Sequence, residues 1–382
     1  MATEPAVSIA TAPVVQVGPR TLTIAWGDGR VSTFHHLWLC DNCPQLRHAT
    51  TNHRVVETST LPDDVHPASV HLDDDTITVT WAHDGHVSTF PHRWLRDHDY
   101  SNGVRRQRRR PVLWDASIEP SLTRASWAAV RDDRDARRRF LTGFRDHGLA
   151  LLRDVPNEPG TVLEVAARFG EVRVTSWGRA FDVISVENAN SVAYTSLPLV
   201  AHTDEGYRNP APTVQLQHFL RSDTSGGAAT LVDGFKVAED LRAADPAAFE
   251  LLATVPLHFH NRDVDAEHEA DGTILDVEPG GRLRAVRYSN HSVQPFLLDP
   301  ELMEPFYAAY RAFGRMREDA RYQLRLDLGA GELYMVDNHR VLHGRTAFTQ
   351  GGARHLQSCY IERDELMSRL TVLERDTSDG AS

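Results

Sequence analysis

The chain has 382 residues, 25% of them charged and 41% hydrophobic, the balance of a globular protein long enough for one large domain and a smaller one. A net charge of −12 argues against nonspecific nucleic-acid binding, which draws on a positive surface, and no stretch approaches the ~20 apolar residues of a membrane span. Three cysteines (Cys40, Cys43, Cys359) cannot build a disulfide framework and no basic-then-apolar leader is present, so a reducing cytoplasm is the expectation.

The first hundred residues contain a degenerate duplication. LTIAWGDGRVSTFHHLWLCDN (22–42) returns as ITVTWAHDGHVSTFPHRWLRDH (77–98), matching Trp26 with Trp81, Phe34 with Phe90 and Trp38 with Trp94. Apolar residues alternate within each copy (Leu22, Ile24, Trp26; Ile77, Val79, Trp81), the period of a half-buried strand. GDG and HDG supply turns, so each copy reads as a β-hairpin followed by a short Trp-Leu segment. Together they predict a small β-rich domain over 1–112, ending in the basic run VRRQRRRP (104–111), a solvated linker.

A second domain is expected over 113–382. The spacing predicts a helix over 126–148, a strand in GLALLRDV (148–155) and a helix in TVLEVAARFG (161–170) closed by glycine. From about 181, short β-rich runs alternate with Gly/Pro turns, interrupted by helices around 235–254 and 300–319. Many short strands of this kind predict a mostly-β catalytic domain with flanking helices, a double-stranded β-helix or jelly roll.

Within it, AHTDEGY (201–207) places His202 and Asp204 two residues apart, on one face of an extended strand end. His343 follows the apolar run GELYMV, in DNHRVLHGR. Two histidines and one carboxylate leave three positions open on a metal, the arrangement of non-haem Fe(II) oxygenases, which need room for a bidentate cosubstrate and O₂. Eleven residues after His343 stands Arg354, whose guanidinium can hold the far carboxylate of 2-oxoglutarate by paired hydrogen bonds. HTD alone is weak, because 20 histidines and 53 acids produce such triplets by chance, as HLD at 71–73 does. The ordered set carries the weight: HTD, a Gly-Gly-bounded strand with Thr230, HGR, then arginine. A noncatalytic β-barrel with a dead site would be expected to lack one of His202, Asp204 or His343, and all three are present.

AYTSLPLVAHTDEGYRNPAPTVQLQHFLRSDTSGGAATLVDGF, VLHGRTAF and ARHLQSCY resemble the γ-butyrobetaine hydroxylase family among the taurine-dioxygenase-like 2-oxoglutarate oxygenases. LWLCDNCPQLRH resembles that family's small N-terminal domain, so the resemblance covers nearly the whole chain. It implies iron ligands at His202, Asp204 and His343, and 2-oxoglutarate held by Arg354 with Thr230 beside it. The implied reaction couples decarboxylation of 2-oxoglutarate, with O₂, to hydroxylation of an unactivated C–H bond, with succinate and CO₂ as coproducts. Asp204 weighs against a halogenase, in which the carboxylate is absent. The rival reading is a specialised-metabolism oxygenase on the same scaffold, with another substrate or with desaturation or epimerisation as outcome. A homodimer and a small-molecule partner are implied by resemblance only.

The resemblance further implies an aromatic cage for a trimethylammonium group at Trp177, Phe181, Tyr194 and Tyr360, since ring faces recognise a cation that cannot donate hydrogen bonds. At the substrate's other end the chain departs from the family: Glu205 replaces a tyrosine and Ser191 an asparagine, while Asn290 retains one contact. An ionised Glu205 would repel a substrate carboxylate, unless it faces solvent or pairs with Arg208. The family's N-terminal zinc site, three cysteines and a histidine, is matched at Cys43 and His86. Either Cys40 and His48 complete a zinc site or the site is degenerate.

Overall fold

In the computed structural model, residues 12–102, 110–184, 196–223, 225–348 and 354–378 are described, and the chain separates into compact units Met1–Arg109 and Arg110–Ser382. Most of the basic run at 104–111 lies outside the described residues.

The smaller unit holds the duplication as two three-stranded antiparallel sheets, Val14–Val17, Thr21–Ala25, Val31–His35 and Pro67–Leu72, Thr76–Trp81, Val87–Pro91. Each ends in a six-residue helix, His36–Asp41 or His92–Asp97. Leu22, Ile24, Ile77 and Val79 point into one core with Trp26, Phe34, Trp81 and Phe90, as their alternation requires. The repeats match in detail: Trp26 Nε1 donates to Ser32 Oγ at 2.7 Å and Trp81 Nε1 to Ser88 Oγ at 2.8 Å. The first strand of each sheet was not anticipated, because at a sheet edge Val14–Val17 buries no residue fully and carries no alternation to read.

The four candidate zinc ligands do not converge. Cys43 Sγ lies 3.3 Å from His86 Nε2, but its other neighbour is Gln45 Oε1 at 3.2 Å. Gln45 is committed to the backbone of Thr89, donating to its carbonyl at 3.0 Å and accepting from its N–H at 2.9 Å. Cys40 belongs to the apolar core, where burial pushes its thiol up to about 11, and His48 is exposed with Nδ1 3.1 Å from Thr50 Oγ1. Among the described residues the four do not gather as a metal-binding group, and an amide, Gln45, stands beside Cys43 and His86.

In the larger unit two sheets face each other. One runs Phe181–Ile184, Arg354–Ile361, Val214–Ser222, Leu333–Asp337, Leu149–Arg153, Arg124–Ser126; the other runs Leu199–His202, Val341–Arg345, Ala229–Asp233, Leu324–Leu326. Leu149, Leu151, Phe219 and Tyr334 of the first meet Leu231, Leu324, Leu326 and Val341 of the second, the closed double layer of a jelly roll. Alternate residues Ala150, Leu152 and Met335 point outward and pack under helices Arg134–His147, Thr161–Phe169 and Arg363–Ser378. Helices Gly234–Ala244, Pro246–Thr254 and Pro300–Glu318 cover the smaller sheet through Val232 and Leu342. The helix expected over 126–148 is two helices, Trp127–Asp132 and Arg134–His147, because Asp133 turns its carboxylate back to cap the second through the N–H groups of Asp135 and Ala136.

His218 sits fully buried in the middle strand of the larger sheet, with neither ring nitrogen hydrogen-bonded among the described residues, and burial lowers its pKa to about 4. The unfolded chain, titrating near 6.5, binds the extra proton between those values, so stability falls as pH drops through that window. Between pH 7 and 5 the expected loss is up to about 2 kcal/mol. Urea unfolding at the two pH values should show it, and His218→Leu should remove most of the difference.

Candidate active site

His202 is the last residue of its strand and stands directly opposite His343 on the neighbouring strand, so the two imidazoles are a cross-strand pair with ring centroids 4.9 Å apart. The strands come this close because position 344 is glycine: a Cβ there would lie 2.3 Å from the carbonyl oxygen of Leu199. Beyond His202, the loop is clamped from the turn before His343. Asn338 Oδ1 accepts the Asp204 N–H at 2.7 Å, and its Nδ2 donates to the carbonyls of Asp204 and Pro212 at 3.1 and 2.8 Å.

That clamp brings one oxygen of Asp204, Oδ1, to 3.2 Å from His202 Nε2 and 3.5 Å from His343 Nε2. The other oxygen, Oδ2, accepts from Gln215 Nε2 at 2.6 Å and from the Tyr360 hydroxyl at 2.7 Å. Burial alone would raise the Asp204 carboxyl, but His343 and His202 hold it well below the usual carboxylate range. Burial, reinforced by Asp204, pushes the Tyr360 phenol far up, so it stays a donor. Among the described residues these three side chains form the one group of three or more His, Cys, Asp or Glu whose donor atoms gather closely enough to hold a metal ion.

The group opens onto a cavity of about 740 Å³. Trp177, Phe181 and Tyr360 line part of it as a run of rings, with centroids 6.5 and 5.6 Å apart. Tyr194 lies outside the described residues. Tyr360, read from sequence as a cage ring, has its hydroxyl on Asp204 and thus also orients that carboxylate. Glu205 lines the cavity, buried, and forms an ion pair with Arg208, so it does not face solvent. Asn290 is not among the lining residues: it is exposed and accepts a hydrogen bond from the Tyr310 hydroxyl at 2.5 Å.

Arg354 lies in the lining with its guanidinium over the rings of Phe219 and Phe348, at 5.7 and 5.5 Å, and its buried Nε has no hydrogen-bond partner among the described residues. Arg345, not anticipated, lines the same cavity; burial and then the charge of Arg354 lower its pKa to about 10. Two buried cations at one wall suit a dianionic ligand. Thr230 is buried opposite Gly344 on the adjacent strand and does not line the cavity. Gln215 and Gln217, with Gln217 Nε2 3.0 Å from Gln215 Oε1, were also missed. Their signal was legible: two glutamines at i and i+2 in the apolar strand VQLQHFL mark a polar face toward a site, as Arg345 two residues from His343 marks the same strand face.

The sequence profile of the taurine catabolism dioxygenase TauD, TfdA family matches residues 109–360, and that of the γ-butyrobetaine hydroxylase-like N-terminal domain matches 14–96. A γ-butyrobetaine dioxygenase of Pseudomonas sp. strain AK-1 is 38% identical over 93% of this chain and 94% of its own length. The mitochondrial trimethyllysine dioxygenase of Bos taurus is 30% identical over 90% of this chain and 83% of its own. A crystal structure of AAD-2 in complex with Mn(II) and N-oxalylglycine shares the fold, with a TM-score of 0.50 at 12% identity over 66% of this chain and 97% of its own.

Proposed function

This chain belongs to the TauD, TfdA dioxygenase family and carries its γ-butyrobetaine hydroxylase-like N-terminal domain, and from that premise we propose that it hydroxylates an unactivated C–H bond of a small cationic substrate at an Fe(II) centre held by His202, Asp204 and His343. The observation that carries the reading is the division of labour on Asp204. One oxygen faces both imidazole Nε2 atoms, while the other is fixed by Gln215 and Tyr360. Two nitrogens and one oxygen on one face are the donor set ferrous iron takes in oxygenases, and outer partners of this kind fix the carboxylate's direction before the metal arrives. The chemistry such a centre supplies when loaded is decarboxylation of 2-oxoglutarate by O₂ to succinate and CO₂, coupled to substrate hydroxylation.

The chain's own residues do the rest. Arg354, with Arg345 beside it, offers buried guanidinium groups to the 2-oxoglutarate carboxylates. Trp177, Phe181 and Tyr360 present ring faces to a substrate cation. The cavity walls set which C–H bond faces the metal.

The test is succinate formation by the purified protein with Fe(II), ascorbate, 2-oxoglutarate and O₂, across a panel of betaines and alkylamines. The expected result is succinate in every iron-containing reaction, stimulated by one class of cation. No succinate under any combination, from protein that retains iron, would overturn the reading.

A further inference from the structure

Resting on that reading of the site, we propose that Glu205 is a specificity-determining residue: it accepts a hydrogen bond from an N–H-bearing ammonium group of the substrate and excludes substrates that present a carboxylate to this wall. Its side chain is 4% exposed, yet it lines the cavity. Neither carboxylate oxygen makes a hydrogen bond of ordinary geometry among the described residues, although Oε2 meets Arg208 Nε in an ion pair and Arg173 adds a second positive charge nearby. A buried carboxylate with unused lone pairs beside a cavity is an acceptor awaiting a donor.

The backbone is arranged to put it there. Glu205 adopts φ +50°, a left-handed conformation unusual for a residue with a Cβ, and the turn closes when Arg208 N–H donates to the Glu205 carbonyl at 3.0 Å. Arg208 also donates to Ser176 Oγ at 2.9 Å, which ties this turn to the one carrying Trp177. The carboxylate and the aromatic run therefore belong to one wall.

Rings and acid read different properties of a cation. Ring faces attract any cation, quaternary ammonium included, whereas a carboxylate oxygen adds a charge-assisted hydrogen bond only where there is an N–H. The ion pair with Arg208 takes one Glu205 oxygen and reduces, without removing, the like-charge repulsion that a substrate carboxylate would meet there from Glu205 and Asp204 together. Of the two anion-binding arginines, Arg345 lies on the strand paired with Leu199–His202 and Arg354 on a strand of the facing sheet. Arg345 is in register with Leu199, before His202, while Glu205 follows it, so the two signs of charge flank the metal-ligand pair.

Two probes separate the possibilities: γ-butyrobetaine and (3-aminopropyl)trimethylammonium, which share a quaternary head and a three-carbon chain but end in carboxylate and ammonium. Their affinities are measured calorimetrically on the full-length protein loaded anaerobically with Fe(II) and 2-oxoglutarate. The wild-type protein should bind the amine-ended probe at least about tenfold more tightly, the worth of one charge-assisted hydrogen bond against a repulsion. Glu205→Gln should bring the two to within about threefold. Equal or tighter wild-type binding of γ-butyrobetaine would overturn the proposal without any variant, as would a preference that survives in a Glu205→Gln protein with cooperative thermal unfolding. Succinate formation without either probe is recorded in parallel. Absence of succinate both with and without every cation of the panel would defeat the oxygenase reading, and its presence without the preference would defeat only this one.

Discussion

Alanine at Asp204 is expected to reduce both iron content and succinate formation to background. The substitution removes the one oxygen donor of the proposed set and leaves His202 and His343 facing each other across an empty position. It also leaves the Gln215 amide and the buried Tyr360 hydroxyl without the acceptor they share. Tyr360→Phe is the graded control: it keeps the ligand and removes one of the two bonds that aim it. Loss of such an outer partner typically costs 10–100-fold in metal affinity or activity, so Tyr360→Phe should fall about that far and Asp204→Ala farther. Metal analysis and succinate quantified by NMR measure both. Retained iron and turnover in Asp204→Ala would remove Asp204 from the site.

The largest stability effect is expected at Asp233, far from any ligand contact. Its carboxylate is fully buried and meets Arg340 in a two-pronged ion pair, Nε–Oδ1 at 3.0 Å and Nη2–Oδ2 at 2.8 Å. Asp233 also accepts from the Phe235 N–H at 3.1 Å, capping helix Gly234–Ala244, and from the Trp114 N–H at 3.0 Å. Arg340 in turn donates to the carbonyls of Asp146 and Val112 at 2.8 and 2.5 Å. Asp233→Ala strands a guanidinium that is 2% exposed, and breaking a buried pair from one side costs about 3–5 kcal/mol. The strand that carries His343 begins one residue after Arg340, so the variant should also bind iron less tightly at temperatures near its lowered midpoint. Urea unfolding at neutral pH gives the measurement, and a loss below about 1 kcal/mol would show that the pair breaks even with its surroundings.

How much could be read without coordinates depended on how local the signal was. The duplicated hairpins were legible because alternation over five or six residues commits one face of a strand to the core wherever the strand ends up. The edge strands Val14–Val17 and Pro67–Leu72 were not, since an edge strand with both faces partly wet needs no pattern. The same limit hid the break at Asp133, where a cap competed with a continuous helical stripe. At the site, residue types and their order marked His202, Asp204, His343 and Arg354, but not which of two jobs an aromatic performs. Tyr360 reads as a ring, and its hydroxyl position is a long-range fact, set by its register opposite Gln215 on the neighbouring strand.

By itself the amino-acid order determined the family, the jelly roll and the set of side chains able to bind a metal, because strand periodicity, turn glycines and ligand chemistry are written within short windows. Only the tertiary structure decided how those side chains are used. It left Asn290 outside the cavity, did not gather Cys40, Cys43, His48 and His86 into a metal-binding group, and added Arg345 to Arg354. It also buried Glu205 against Arg208 at the cavity wall. Each of these depends on what lies across a strand pair or a loop from a distant part of the chain, and burial and hydrogen bonding there are properties of the assembled neighbours rather than of any residue alone.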